Sequence, residues 1–423
     1  MKNIALSAIA ILTLLVVTAV AKQYEVWTID QSDTTSDGGG TLYVYSGEDL
    51  DGADAANAVP DVIDLGGAAR SLCLAQTGTA PRRPHMFLFN SDQTHVIIAF
   101  VATGHVLFMD AATRTPVQCI DVGVQAHAAV PSHDESFVVV ANQNGKLLQR
   151  INTDFQANIF TLDAAATINL ATCTTPSGAP CEDPILRPSN RPICPVIDRK
   201  DNFTFVTLAG GGLFVVNSRA TPMAIVGEYD KSTVHADGCG GTQARGQMYI
   251  NSGGPLESDL YSFPLTGYSS LNPPNTPVPS LIFSRDGTNS DSHGVVATKH
   301  DRYVWTVERF ANNMIIVDTL SNSIVNQFSL SGNVSSDPAP DLLDISPNGN
   351  RIFFSMRGPI PLTGNNAAFN NAVGSTPGLG ILRVTEGGQN GEFFARVPIS
   401  HIVGGVERAD PHGLRVRVVE EED

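Results

Sequence analysis

One spacing recurs along this chain and constrains its fold more than any bulk property. In five places a lead residue stands ten positions before the start of an apolar run: His85 before His95, His127 before Phe137, Ile193 before Phe203, His293 before Tyr303 and Asp341 before Arg351. Between lead and run lies a turn such as Asn90-Ser91-Asp92 or Asn348-Gly349, made of the residue types that hairpins require. A third apolar run follows each second one, at 106–109, 147–151, 213–216, 314–317 and 381–384. A fourth follows most of them, as at 116–122 and 324–330. A unit of four short strands, repeated, is what a propeller blade looks like in sequence.

Two further units complete the count. The sixth starts at Val234-His235 and continues through 247–251, with a first turn read as about two residues longer. The seventh is split. Pro411-His412-Gly413 and the run at 414–419 supply a lead and a first strand, and Glu25-Val26-Trp27-Thr28-Ile29-Asp30 matches Tyr303-Val304-Trp305-Thr306-Val307-Glu308 as the second. The expected fold is an all-β, seven-bladed propeller of four-stranded blades, closed by the C-terminal strand joining the N-terminal blade. Such a ring leaves no open sheet edge. The 38 Gly and 26 Pro agree with it, as does the absence of long Ala, Leu, Glu and Lys stretches.

Phe87-Leu88-Phe89-Asn90-Ser91-Asp92, Val106-Leu107-Phe108-Met109-Asp110 and Met314-Ile315-Ile316-Val317-Asp318 give the chain a pattern that resembles the YVTN-type, lactonase-like propeller family. The resemblance covers nearly all of the chain after its first twenty residues. It implies the fold, and leaves enzymes, binding modules and surface proteins open as functions.

The first residues read as an export signal: Lys2, an apolar run at 4–17, then Ala19-Val20-Ala21 as a small-x-small cleavage site. The expected organisation is therefore a signal peptide at 1–21 and one propeller domain at 22–423, with an acidic tail at 420–423. The run is short for a membrane span, and no later stretch is long and apolar enough to be one. The expected location is secreted or periplasmic. A net charge of −16 repels phosphate backbones and excludes nucleic acid as a partner. Six cysteines in an exported chain suggest disulfides. Cys173 and Cys181 bracket a turn-rich insert and are paired. Of the three pairings open to the others, 73–119 with 194–239 is preferred, the alternative being buried free thiols.

In a propeller the first strand of each blade is innermost, so the lead residues face the mouth of the central channel. These are His412, His85, His127, Ile193, His235, His293 and Asp341. Five of the chain's ten histidines occupy seven such places. Several imidazoles on one axis suit copper, and less well zinc. His85, His127, His235, His293 and His412 are the expected ligands, with Asp341 as a sixth. Asp30 and Glu308, ending second strands, are candidates to orient them. Arg309 and Arg357 are candidates to hold an anionic substrate. The arrangement is similar to propellers with a multi-histidine copper centre, such as the nitrous-oxide reductase propeller. It lacks that family's His-His pair and Cys-rich copper domain, which argues against the same reaction.

The leading expectation is thus a metal centre acting on a small molecule. Two alternatives stand beside it. One is a metal-free scaffold whose lead histidines cap strands and whose loops at 264–280 and 358–380 hold a protein or glycan. The other is a lactonase-like, metal-dependent hydrolase. The loop at 358–380, between second and third strands, is expected to rise over the histidine face. The glycine clusters 210–212 and 238–241 precede no helix that would cradle phosphate.

Overall fold

The computed structural model of the chain describes residues 23–33 and 38–419. The expected signal segment and acidic tail lie outside the described residues.

Seven four-stranded antiparallel sheets stand around a central axis. Blade 1 is the split one. It contains Tyr24–Asp30, Thr41–Ser46 and Asp61–Asp64, with Pro411–Val418 as its innermost strand. Tyr24 lies opposite Val418 and Trp27 opposite Arg415. The inner strands of blades 2 to 7 are Pro84–Phe89, Ala126–Pro131, Pro192–Ile197, Gly241–Ala244, Ser292–Ala297 and Pro340–Ile345.

Both faces of each sheet are covered by neighbouring blades. The middle strands are therefore apolar throughout rather than alternating: Val96, Ile97, Ile98, Ala99 and Phe100 are all buried. The apolar core is divided accordingly, one layer between each adjacent pair of blades. Trp27 and Ile29 of blade 1 pack on Phe87, Val96 and Ile98 of blade 2. Phe353 and Ile381 of blade 7 close the circle against Val26 and Leu414. Packing of this size contributes on the order of 25 cal/mol per Å² of apolar surface buried.

A register shift recurs in the inner strands. Pairing skips His85 between Pro84 and Met86, His127 between Ala126 and Ala128, and Ile193-Cys194 between Pro192 and Pro195. It skips His293-Gly294, Asp341-Leu342 and His412-Gly413 in the same way. A bulge frees a residue from the ladder and re-aims its side chain. In these six blades this is how the lead residue comes to face the axis.

Blade 5 corrects the sequence reading. A Cβ on Gly294 would meet Asp341 O at 2.3 Å, and one on Gly413 would meet His85 O at 2.9 Å. The glycine after the lead is pressed against the next blade's lead. Gly240 stands in that relation to blade 6, its Cβ position 2.0 Å from His293 O. The lead of blade 5 is therefore Cys239, not His235. Its first hairpin is shorter, not longer: Gly241 pairs with Ile250, nine positions on, where Val295 pairs with Thr306, eleven positions on.

Two short helices, Gly47–Asp51 and Ala68–Thr77, interrupt the strand pattern around the outer edge of blade 1. Cys73 on the second is bonded to Cys119 in the outer strand of blade 2. Cys173–Cys181 and Cys194–Cys239 are the other disulfides, as expected.

Candidate metal centre at the channel mouth

The bulges bring four of the five expected histidines into one arc. His127 meets His85 edge to face with centroids 4.6 Å apart, His85 lies 3.9 Å from His412, and His412 lies 5.5 Å from His293. Asp341 closes the arc, with Oδ1 2.9 Å from His293 Nε2 and 3.7 Å from His412 Nε2. His85, His293, His412 and Asp341 are buried, and His127 is partly so.

Groups behind the rings decide which nitrogens are bare. Gln31 Nε2 donates to Asp410 Oδ2 at 3.1 Å, so the amide oxygen turns to His85 Nδ1, 2.9 Å away. His85 Nδ1 is then the donor and Nε2 carries the lone pair. His412 Nδ1 donates to the His85 carbonyl at 3.1 Å, so its Nε2 carries a lone pair as well. Burial, then the nearby His412 and His127, hold His85 well below the usual imidazole range. Burial likewise keeps His412 well below it, outweighing the Asp341 charge. Burial and His293 lower His127 to about 4. These three rings are neutral at physiological pH, the state that binds metals.

A chain of alternating charges runs beneath them from blade to blade. Arg309 Nε donates to Asp291 Oδ2 at 2.8 Å, and its Nη1 reaches Asp341 Oδ2 at 3.4 Å. Arg357 Nη1 donates to Asp341 Oδ2 at 2.6 Å, while Nε and Nη2 hold Asp410 at 2.6 and 2.9 Å. Asp341 is thus neutralised through Oδ2, and the surrounding cations and imidazoles offset its burial and hold its carboxyl well below the usual range. Its Oδ1 is left for the histidines. Both guanidinium groups are engaged by carboxylates, so the structure gives Arg309 and Arg357 a supporting place, not the anion-binding one expected of them.

The remaining candidates lie elsewhere. His235 stands apart from the arc, its Nδ1 2.7 Å from Asp259 Oδ2. Glu308 takes Arg285 and Asn313. Asp30 accepts from Ser32 and from the backbone N–H of Asp410. Neither carboxylate bonds an imidazole of the arc. Gln31 and Asp410, which set the His85 tautomer, were missed. The signal was in the repeat: Gln31 aligns with Arg309 and Arg357, and Asp410 with Asp291.

The donor set fits a metal ion. His293 Nε2 and Asp341 Oδ1 are buried, face each other at 2.9 Å and have no other polar partner at hydrogen-bond distance. The separations of 2.9 and 3.7 Å bracket the roughly 3.3 Å expected between ligands of a tetrahedral ion with bonds of about 2.05 Å. Above the arc opens a polar cavity of about 420 Å³, lined among others by His127, His293, Arg83, Arg191 and Asp237. The 358–380 loop forms one wall through Leu362 to Asn366, as expected. Its Thr363 Oγ1 lies 3.4 Å from His85 Nδ1. The expected loop at 264–280 instead seats Tyr268 against Phe203 and Phe205 of blade 4.

No protein-family model matches the chain, and no curated protein matches it. Solved structures do. A Lactobacillus plantarum protein aligns over 93% of this chain and 99% of its own, with TM-score 0.61 and 11% identity. The periplasmic gluconolactonase of Pseudomonas aeruginosa aligns over 94% and 100%, with TM-score 0.59 and 13% identity. The fold is that of the lactonase-like seven-bladed propellers. A Bacteroides fragilis protein described as a candidate 6-phosphogluconolactonase shares this lactonase-like propeller over 94% and 98%, with TM-score 0.58 and 11% identity. At such identities the likeness concerns the fold alone.

Proposed function

We propose that this protein is an exported, metal-dependent enzyme that hydrolyses a small ester or lactone bearing an acidic group. The observation that carries the reading is the convergence of His293 Nε2, Asp341 Oδ1 and His412 Nε2, three buried donors that face one another beneath an open polar cavity. A divalent ion held there supplies Lewis acidity to a carbonyl and to water. The chain's own groups do the rest. Arg309 and Arg357 keep Asp341 ionised and fixed in place. Asp237, on the cavity wall, has its carboxyl pushed up by burial and by Asp291, against Arg191 and Arg309. That suits it to take a proton from water. Arg83 and Arg191 on the same wall match the charge of an acid-bearing substrate. The lactonase neighbours support the reaction class. The three disulfides and the signal-like start support export.

A second reading, a copper centre for oxidoreduction, is favoured by His85 and His127, whose Nε2 atoms face each other at 3.3 Å. One experiment separates the readings. Protein purified without chelator or histidine tag is analysed for metals beside a His293→Ala, His412→Ala variant, and both are assayed by pH-stat on gluconolactone-type lactones. Near-stoichiometric zinc with lactone hydrolysis, both lost in the variant, supports the hydrolase. Copper without hydrolysis supports the redox centre. A wild type that stays empty after incubation with both metals sinks the metal centre, and leaves a binding scaffold.

A further inference from the structure

The axis holds a second set of donors outside the His293–Asp341–His412 group, and it shares His127 with the histidine arc. Cys239 is the lead of blade 5 and Cys194 follows the lead of blade 4, so their disulfide ties two neighbouring inner strands at the centre of the ring. Met86, which follows the lead of blade 2, brings its Sδ to 3.8 Å from both Cys194 Sγ and Cys239 Sγ. His127 Nδ1 lies 3.8 Å from Cys194 Sγ. Three sulfurs and one imidazole nitrogen from four blades thus meet at one point. Both cysteines are buried, but they border open space. Cys239 lines the cavity on the histidine face, and Cys194 and Cys239 both line a cavity of about 480 Å³ on the opposite face.

We propose that reduction of Cys194–Cys239 by a dithiol opens a soft-metal site for Cu(I), with Cys194, Cys239, Met86 and His127 as ligands. Sulfur ligands about 2.3 Å from a tetrahedral ion lie roughly 3.8 Å apart, which is the spacing Met86 already keeps from both cysteines. Thiolate and thioether donors select Cu(I) over harder ions. In the reducing step one thiolate of the dithiol attacks a disulfide sulfur and forms a mixed disulfide. The second thiol of the reagent then displaces it. Two electrons and two protons pass to the protein, which gains two thiols, and the reagent leaves as a cyclic disulfide. Cu(I) binding releases the thiol protons. The site does not rest on the hydrolytic reading.

The test compares oxidised and dithiothreitol-reduced full-length protein under anaerobic conditions, after removal of the reagent. Free thiols are mapped by alkylation and mass spectrometry, and Cu(I) is titrated against a chromophoric Cu(I) chelator. The expected result is alkylation of Cys194 and Cys239 in folded protein, and one equivalent of Cu(I) beyond that taken by the oxidised form. Met86→Leu, which keeps side-chain volume and leaves the disulfide in place, weakens this equivalent by about tenfold or more. In the His293→Ala, His412→Ala background the extra equivalent persists. Thiols that appear only on unfolding, no extra Cu(I) after reduction, unchanged affinity in Met86→Leu, or loss of the increment in the double variant would each overturn the site.

Discussion

At the scale of single residues, the axis is a place where burial and charge are balanced narrowly. In the metal-free protein His127 titrates near 4 when folded and near 6.5 when unfolded. Above 6.5 both states hold it neutral. As pH falls from 6.5 to about 4, only the unfolded chain takes the proton, so stability falls across that window, by about 3 kcal/mol at most for this residue. His85 and His412 act in the same direction. Asp30 and Asp237, each pushed up to about 6 chiefly by burial, oppose them between the ordinary carboxylate range and 6, where the folded form holds the proton. The denaturant midpoint is expected to be lower at pH 4.5 than at pH 7, and His127→Asn to flatten the difference. An unchanged slope in that variant would show that His127 does not set it. Asp410→Ala removes one of the two carboxylates that hold the buried Arg357, leaving Asp341 alone, and should cost about 3 kcal/mol in chemical denaturation, much of it recovered by Arg357→Met in the same chain. The sequence made the histidines legible because they repeat. It hid His235's displacement, because a shortened hairpin and a misplaced lead compensate in the count.

At the scale of elements, the recurring device is a bulge followed in several blades by a small residue under the next blade's backbone. Gly294→Ala drives a Cβ to 2.3 Å from Asp341 O, and should destabilise by about 2 kcal/mol or more. Gly332→Ala, with nothing within 4 Å of the added atom, should be near neutral. Paired thermal melts of the two variants measure the contrast, and equal midpoints would deny the close contact between blades. Strands were legible because two-sided burial writes continuous apolar runs. The helix Ala68–Thr77 was not. It buries only Ala69 and Cys73, too thin a stripe to stand out from loop sequence, and its Gly78 cap at φ 81° reads equally well as a turn. The bulges left no mark in composition at all, since they arise from how a blade's first hairpin meets the axis.

At the scale of the whole molecule, closure is the decisive contact. A chain ended at Asp410 lacks the inner strand of blade 1 and exposes Val26 and Phe353 along with an unpaired edge. It is expected to aggregate or elute as oligomers in size-exclusion chromatography. A synthetic peptide spanning 411–419, added in trans, should restore the monomer. A truncated chain that stays monomeric with the wild-type melting point would deny that this strand closes the ring.

The same pairing orders events in time. The ribosome makes the strand Tyr24–Asp30 first and its partner Pro411–Val418 only after six other blades have emerged. No shortened product, whether from an early stop codon or from proteolysis of the nascent chain, can seal the circle. The ring is therefore its own length gauge: any molecule that survives as a closed propeller has been translated through to its last strand.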